Sequence, residues 1–178
     1  MIASFNGISP RIAQSAVILP HTSIIGEVEI GESVSVWYGS VIRADGARIH
    51  IGSGSNIQDN SIIHIGYATQ DFDGSTIIDE NVTIGHNCII HACHIEAECI
   101  IGMGAIVMDM AVIGAQSIVG AGSVVTKGKK FPPKSLIIGN PARLVRSLND
   151  DEVAQGLASA LHYQHLASLH SDLKVVKE

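Results

Sequence analysis

Charge, aromatic rings and cysteine are all scarce in this 178-residue chain. Asp, Glu, Lys and Arg make up 16% of it, against roughly 25% in an ordinary domain, and the balance is acidic, with a formal net charge of −6. An acidic chain without a basic run neutralises phosphates poorly, which argues against nucleic-acid binding. No apolar run approaches the roughly 18 to 20 residues needed to span a bilayer. The opening residues, Met1-Ile2-Ala3-Ser4-Phe5-Asn6-Gly7, have neither the basic start nor the apolar stretch of a signal peptide, so no membrane partner is expected. The three cysteines, Cys88, Cys93 and Cys99, are an odd number, and their C-x4-C-x5-C spacing lacks the paired C-x-x-C of zinc ribbons. They are read as small buried apolar fillers in a protein of the reducing cytoplasm. Apolar residues, in contrast, reach 46%, too many for a disordered chain. The length suits one domain with room for a short extra element. So few charges also point to a surface partly covered by another subunit.

What the chain has in abundance is aliphatic residues at a period of six. One series runs Ile12, Ile18, Ile24, Ile30, Val36 and Ile42, and a second Ile51, Ile57 and Ile63. A third is Ile78, Ile84 and Ile90, and a fourth Ile95, Ile101, Val107, Ile113, Val119 and Val125. A helix cannot keep this period on one face, because six steps of about 100° rotate the side chain by roughly 240°. A chain that turns a corner after each hexad can, and three hexads make a triangular coil of about 18 residues. Glycine after the aliphatic residue, as at Gly31, Gly52 and Gly85, suits close backbone approach at such corners. A narrow prism also has little room for large rings, in keeping with 4% aromatics. The expected fold is an all-β solenoid, a parallel β-helix over residues from about 10 to 126.

Two irregularities interrupt the period. Ile63 and Ile78 are 15 residues apart where 12 would keep phase, so residues 66–74 read as an extruded loop, and the spacing from Ile90 to Ile95 falls to five. Both lie beside histidines, and broken local rules tend to mark functional sites. After Val125 the prolines Pro132 and Pro133 are expected to exclude a further internal strand. Residues from Asn149 to about His170 look helical, with Asn149 as N-cap, Asp150, Asp151 and Glu152 in the first turn, and Val153, Leu157, Leu161 and Leu169 as a stripe against the prism. His162, His165 and His170 are expected on the surface. Two domains result, a β-helix domain over 1–146 and a C-terminal helix and tail over 147–178.

His64 follows inward Ile63 and His91 follows inward Ile90, so the two occupy equivalent positions 27 residues apart. Without the nine-residue loop the separation is 18, one coil, so the imidazoles should stack on rungs about 4.8 Å apart. Two rings at that distance can converge on one ion. His86, five residues before His91, is about 16 Å away along extended chain and does not easily reach the same ion within one prism, but a neighbouring prism could supply it. The other reading is three unrelated outward histidines.

Two segments, Asn56-Ile57-Gln58-Asp59-Asn60-Ser61-Ile62-Ile63-His64 and Thr83-Ile84-Gly85-His86-Asn87-Cys88-Ile89-Ile90-His91, resemble the metal-ligand segments of the gamma-class carbonic anhydrase-like proteins. Val41-Ile42-Arg43-Ala44-Asp45, Ile101-Gly102-Met103-Gly104-Ala105 and Gly139-Asn140-Pro141-Ala142 are similar to further motifs of that family, and the resemblance covers nearly the whole chain. It implies a left-handed β-helix and a homotrimer with metal sites between subunits. His64 and His91 of one chain and His86 of another would hold Zn2+, with Fe2+ or Co2+ as alternatives. It implies reversible hydration of carbon dioxide to bicarbonate, since three imidazoles and an open position suit a catalytic site that brings the pKa of water to about 7. By the same resemblance Gln58 orients the reacting oxygen. Asp59 and the Arg43–Asp45 pair match residues near the subunit contact, where the pair could equally serve assembly alone. Tyr163 matches a tyrosine facing the pocket.

The chain departs from the best-studied branch in its acidic residues. Gly46 follows Asp45, and the 66–74 loop holds Asp71 and Asp73 but no glutamate, so proton transfer would need another route, through His94 or Tyr163. The rival readings are a hexapeptide-repeat acyltransferase or thioesterase-like enzyme acting on acyl-CoA, with one loop histidine as general base, and a non-catalytic binding protein.

Overall fold

A computed structural model describes residues 1–170 and 173. The chain forms a left-handed parallel β-solenoid of about eight turns with one C-terminal helix. On the first face of the prism, Val17–Ile18, Ser35–Val36, Asn56–Ile57, Thr83–Ile84, Ile100–Ile101 and Ile118–Val119 stack in parallel. Ser135–Gly139 extends that sheet and pairs antiparallel with Ala142–Ser147. The strands Ser23–Ile30 and Val41–Ile51 are long enough to run around a corner, which joins the second and third faces into one sheet. Ile62–His64, Ile89–His91, Ile106–Val107 and Val124–Val125 continue the second face, and Thr76–Ile78, His94–Ile95, Val112–Ile113 and Lys130–Phe131 the third.

The period of six becomes a core because successive strand residues point to opposite sides, so one aliphatic residue per hexad faces in. Ile24, Ile42, Ile63, Ile90, Val107 and Val125 are register partners from coil to coil, and all are fully buried. Asn60, Asn81 and Asn87 turn corners with φ of 57°, 55° and 56°, a left-handed conformation that asparagine tolerates better than most residues. Cys88, Cys93 and Cys99 are free and buried in this core.

The solenoid is longer at both ends than the period indicates. Ile2–Ala3 pairs with Ile24–Ile25. Beyond Val125 the coil goes on through Phe131 to Ile137, which is buried in the core. Pro132 and Pro133 do not end it, because they stand between the strands Lys130–Phe131 and Ser135–Gly139, at a corner where no ladder N–H is required. The phase shift between Ile42 and Ile51 proves to be a third irregularity. Gly26 pairs with Ala44 but Val28 pairs with Ile49, so extra residues at this corner let the chain bulge around Asp45.

The helix spans Asp150–His170. At its start the Glu152 N–H donates to Asn149 Oδ1 (2.9 Å) and the Asn149 N–H donates to Glu152 Oε2 (3.0 Å), a reciprocal capping box. Arg146 adds two bonds of 2.7 Å to the same carboxylate. The expected leucine stripe does not face the prism. Leu157, Leu161 and Leu169 are exposed, and the buried residues are Gly156, Ala160 and Ala167. Close approach explains the reversal in the first turns: a Cβ on Gly156 would stand 2.0 Å from the carbonyl oxygen of Glu98, so no larger side chain fits there. At its far end Trp37 packs on Tyr163 and His170, with ring centroids 5.5 and 4.8 Å away. His170 hydrogen-bonds the Tyr38 hydroxyl at 3.0 Å and is half-buried, unlike the exposed His162 and His165. Among the described residues no helix is long and apolar enough to cross a membrane. The tail beyond His170, apart from Leu173, lies outside the described residues.

Candidate functional site

His64 and His91 stand at one edge of the second face. They are register partners on adjacent coils, with ring centroids 5.2 Å apart and planes inclined by 59°. Both line a cavity of about 460 Å³ whose walls include Arg43, Asp45 and Tyr67. The bulge after Ala44 carries Asp45 to His64, where Oδ1 lies 3.0 Å from Nε2, and Arg43 pairs with the other carboxylate oxygen. Partial burial works to raise the pKa of Asp45, but the bonds to His64 and Arg43 outweigh it and hold the carboxyl below its ordinary range. The loop is pinched at its base by the Gly66 N–H donating to Gly74 (2.8 Å). It places Tyr67, 95% exposed, at the cavity rim. His91 Nδ1 is buried and makes no hydrogen bond. Asp109 Oδ2 lies 3.2 Å from it, within ion-pair distance but off the hydrogen-bonding direction.

His86 stands past the opposite edge, in the turn after Thr83–Ile84. Its Nδ1 bonds Asp59 Oδ2 at 2.8 Å. Gln58 is buried beside Asp59, and its Nε2 donates to Asn56 Oδ1 at 3.1 Å, which fixes the amide. Tyr163 is near enough to feel Asp59: burial first, and then that carboxylate, raise its hydroxyl pKa. Between the two edges the outward positions are apolar. Val41, Ile62, Ile89, Ile106 and Val124 stack in register, with Ile62 and Ile89 still exposed. His94 is on the third face, where Nε2 contacts both oxygens of Asp79 at 3.1 Å. It does not line the His64–His91 cavity.

The structure therefore brings Arg43, Asp45, His64 and His91 together, and gathers Gln58, Asp59, His86 and Tyr163 elsewhere on the same prism. Among the described residues of one chain, no three His, Cys, Asp or Glu side chains converge as a ligand set. Two stacked imidazoles are a pair of donors that a divalent ion could share with a third ligand from elsewhere. Asp109 and Tyr67 went unnoticed in the sequence. Asp109 is 18 residues beyond His91, one coil on, and that spacing is the signal that finds it. Tyr67 carries no such signal.

No family model matches the chain. Among curated proteins, gamma carbonic anhydrase 1, mitochondrial, of Arabidopsis thaliana is 42% identical over 92% of the chain, and the chain spans 60% of that protein's length. A carbonic anhydrase of Geobacillus kaustophilus is 44% identical over 87% of the chain and 82% of its own length. Among solved structures, a hexapeptide transferase family protein from Anaplasma phagocytophilum superposes with a TM-score of 0.88 at 40% identity, covering 94% of this chain and 96% of that one.

Proposed function

We propose, for a chain that belongs to the gamma carbonic anhydrase family, a metal-dependent enzyme that hydrates carbon dioxide reversibly at sites between the subunits of a homotrimer. One observation carries this: two incomplete half-sites flank an exposed apolar strip of the same face. Head-to-tail packing around a threefold axis buries such a strip and sets one edge of each prism against the opposite edge of the next. His64 and His91 of one subunit then meet His86 of its neighbour. Zn2+ suits three imidazoles, with Fe2+ or Co2+ as alternatives. When bound, the ion would supply a nucleophile from water near neutral pH and polarise the substrate oxygen.

The chain's own residues do the rest. Asp45 and Asp59 hold His64 and His86 in place through their ring nitrogens. Arg43 secures Asp45 and adds positive charge where bicarbonate forms. The Gln58 amide, held by Asn56, orients the reacting oxygen, and Tyr163 closes the pocket from the helix. His94 is tied to Asp79 and does not line the cavity, so the proton is read as leaving to external base, with Tyr163 as the internal alternative. A reducing cytoplasm suits the three free, buried cysteines.

The transferase reading is supported by the name of the Anaplasma structure, but acyl transfer has no use for a paired His64–His91. Stopped-flow carbon dioxide hydration with zinc-loaded and cobalt-loaded protein decides between them. Turnover with either metal is expected. No hydration with both, together with acyl-CoA turnover that survives loss of all three histidines, would establish the transferase.

A further inference from the structure

Each of the three histidines faces a carboxylate from another coil. Asp45 Oδ1 is 3.0 Å from His64 Nε2, Asp59 Oδ2 is 2.8 Å from His86 Nδ1, and Asp109 Oδ2 is 3.2 Å from His91 Nδ1. Asp45 and Asp59 lie in segments that carry the family resemblance, and Asp109 does not. Its backbone is fixed from both sides. The Gly128 N–H donates to the Asp109 carbonyl at 2.8 Å, and the next residue, Met110, has φ of 61° and donates to the Ala92 carbonyl at 2.7 Å. The carboxylate is thereby held against two features of the cavity. Oδ2 faces His91, and Oδ1 lies 3.1 Å from where a Cβ on Gly66 would stand, beneath the base of the loop that carries Tyr67.

His91 Nδ1 is buried without a hydrogen bond, a costly condition for a polar nitrogen. Asp109 is the acceptor the fold places beside it, 3.2 Å away and lacking only the direction of a hydrogen bond. We infer that Asp109 is the positioning carboxylate of His91: it accepts the Nδ1 proton, fixes the tautomer whose Nε2 is bare, and aims that nitrogen at the His64 ring. Asp59 does the same for His86 through Nδ1, whereas Asp45 addresses Nε2 of His64. The pair on the third face, His94 with Asp79, faces no second histidine and serves as a control.

The inference rests on His91 being a ligand, so its test has one arm with metal and one without. In metal-free protein at about pH 8, where an ordinary imidazole is neutral, imidazole 15N–1H spectra should show His91 as the Nδ1–H tautomer. Asp109→Ala should shift it towards Nε2–H, and Asp109→Asn, which keeps a carbonyl acceptor, should hold it. With zinc, chelator competition should show affinity falling by about 10- to 100-fold in Asp109→Ala, largely restored in Asp109→Asn and unchanged in Asp79→Ala. An Nε2–H tautomer in the unaltered protein, or an Asp109→Ala affinity within about twofold of the parent, would overturn the inference. If zinc does not bind at all, the metal reading fails, and the tautomer spectra still judge Asp109. If Asp109→Ala does not fold, Asp109→Asn and the parent spectrum carry the decision.

Discussion

His64 and His91 face each other across one rung, ring centroids 5.2 Å apart, although 27 residues separate them in the chain. The 66–74 loop accounts for the excess over one coil, because it leaves the stack and returns, with Gly66 bonded to Gly74. A loop there opens a cavity beside the two rings without breaking the ladder of Ile63 and Ile90 beneath them.

The proposed shared site makes a quantitative prediction. His64→Ala, His91→Ala and His86→Ala should each lose metal while keeping the β-helix, since the aliphatic core is untouched. Mixing His64→Ala with His86→Ala subunits in equal amounts and refolding them together should restore about a quarter of the sites, because half of the chains offer an intact pair and half of their neighbours an intact His86. Metal content of the mixed trimer gives the answer. No recovery would place all three ligands in one chain.

Gln58→Ala should lower hydration turnover by roughly tenfold or more, as expected for a lost oriented polar group, with metal content unchanged. The parent rate should rise with buffer concentration, because the loop carries Asp71 and Asp73 but no glutamate to pass the proton outward. Stopped-flow rates over a buffer series test both, and a buffer-independent rate would reveal an internal proton route.

Gly156→Ala should destabilise the protein by about 1 to 3 kcal/mol, since the added methyl would meet the Glu98 carbonyl oxygen at 2.0 Å. Leu157→Ala, at an exposed position, should cost less. Denaturant midpoints with equal slopes make the comparison.

Burial pushes the Cys88 thiol up to about 11 and Cys93 and Cys99 up to about 12. An unfolded thiol titrates near 8.5, so above that pH the unfolded chain loses protons that the folded chain keeps. The stabilisation is whole below about 8.5 and declines as pH rises towards the folded values, by at most about 2 kcal/mol per thiol at pH 10. Native protein at pH 8 should not react with a thiol reagent until denatured, and Cys93→Ala should flatten the alkaline decline. Fast labelling of native protein would contradict the burial.

The period of six by itself determined the prism. A core that takes one residue per hexad leaves no other regular structure open, and it sets the inward ladders before any contact is known. The same arithmetic placed His64 over His91, because register in a solenoid is a count of residues per coil. The start of the helix at Asn149 was equally local, since a cap and acidic first turn act within a few residues. Tertiary structure decided the rest. The leucines of the helix look inward by periodicity, yet Gly156 and Ala160 lie underneath, and at Gly156 the Glu98 carbonyl leaves no room for a side chain. Pro132 and Pro133 read as a stop until their place at a corner shows that no N–H is needed there. Asp45 reaches His64 through a bulge, and Asp109 reaches His91 from the next coil. Such contacts depend on how corners of successive coils align, which is a property of the stacked chain and not of any hexad within it.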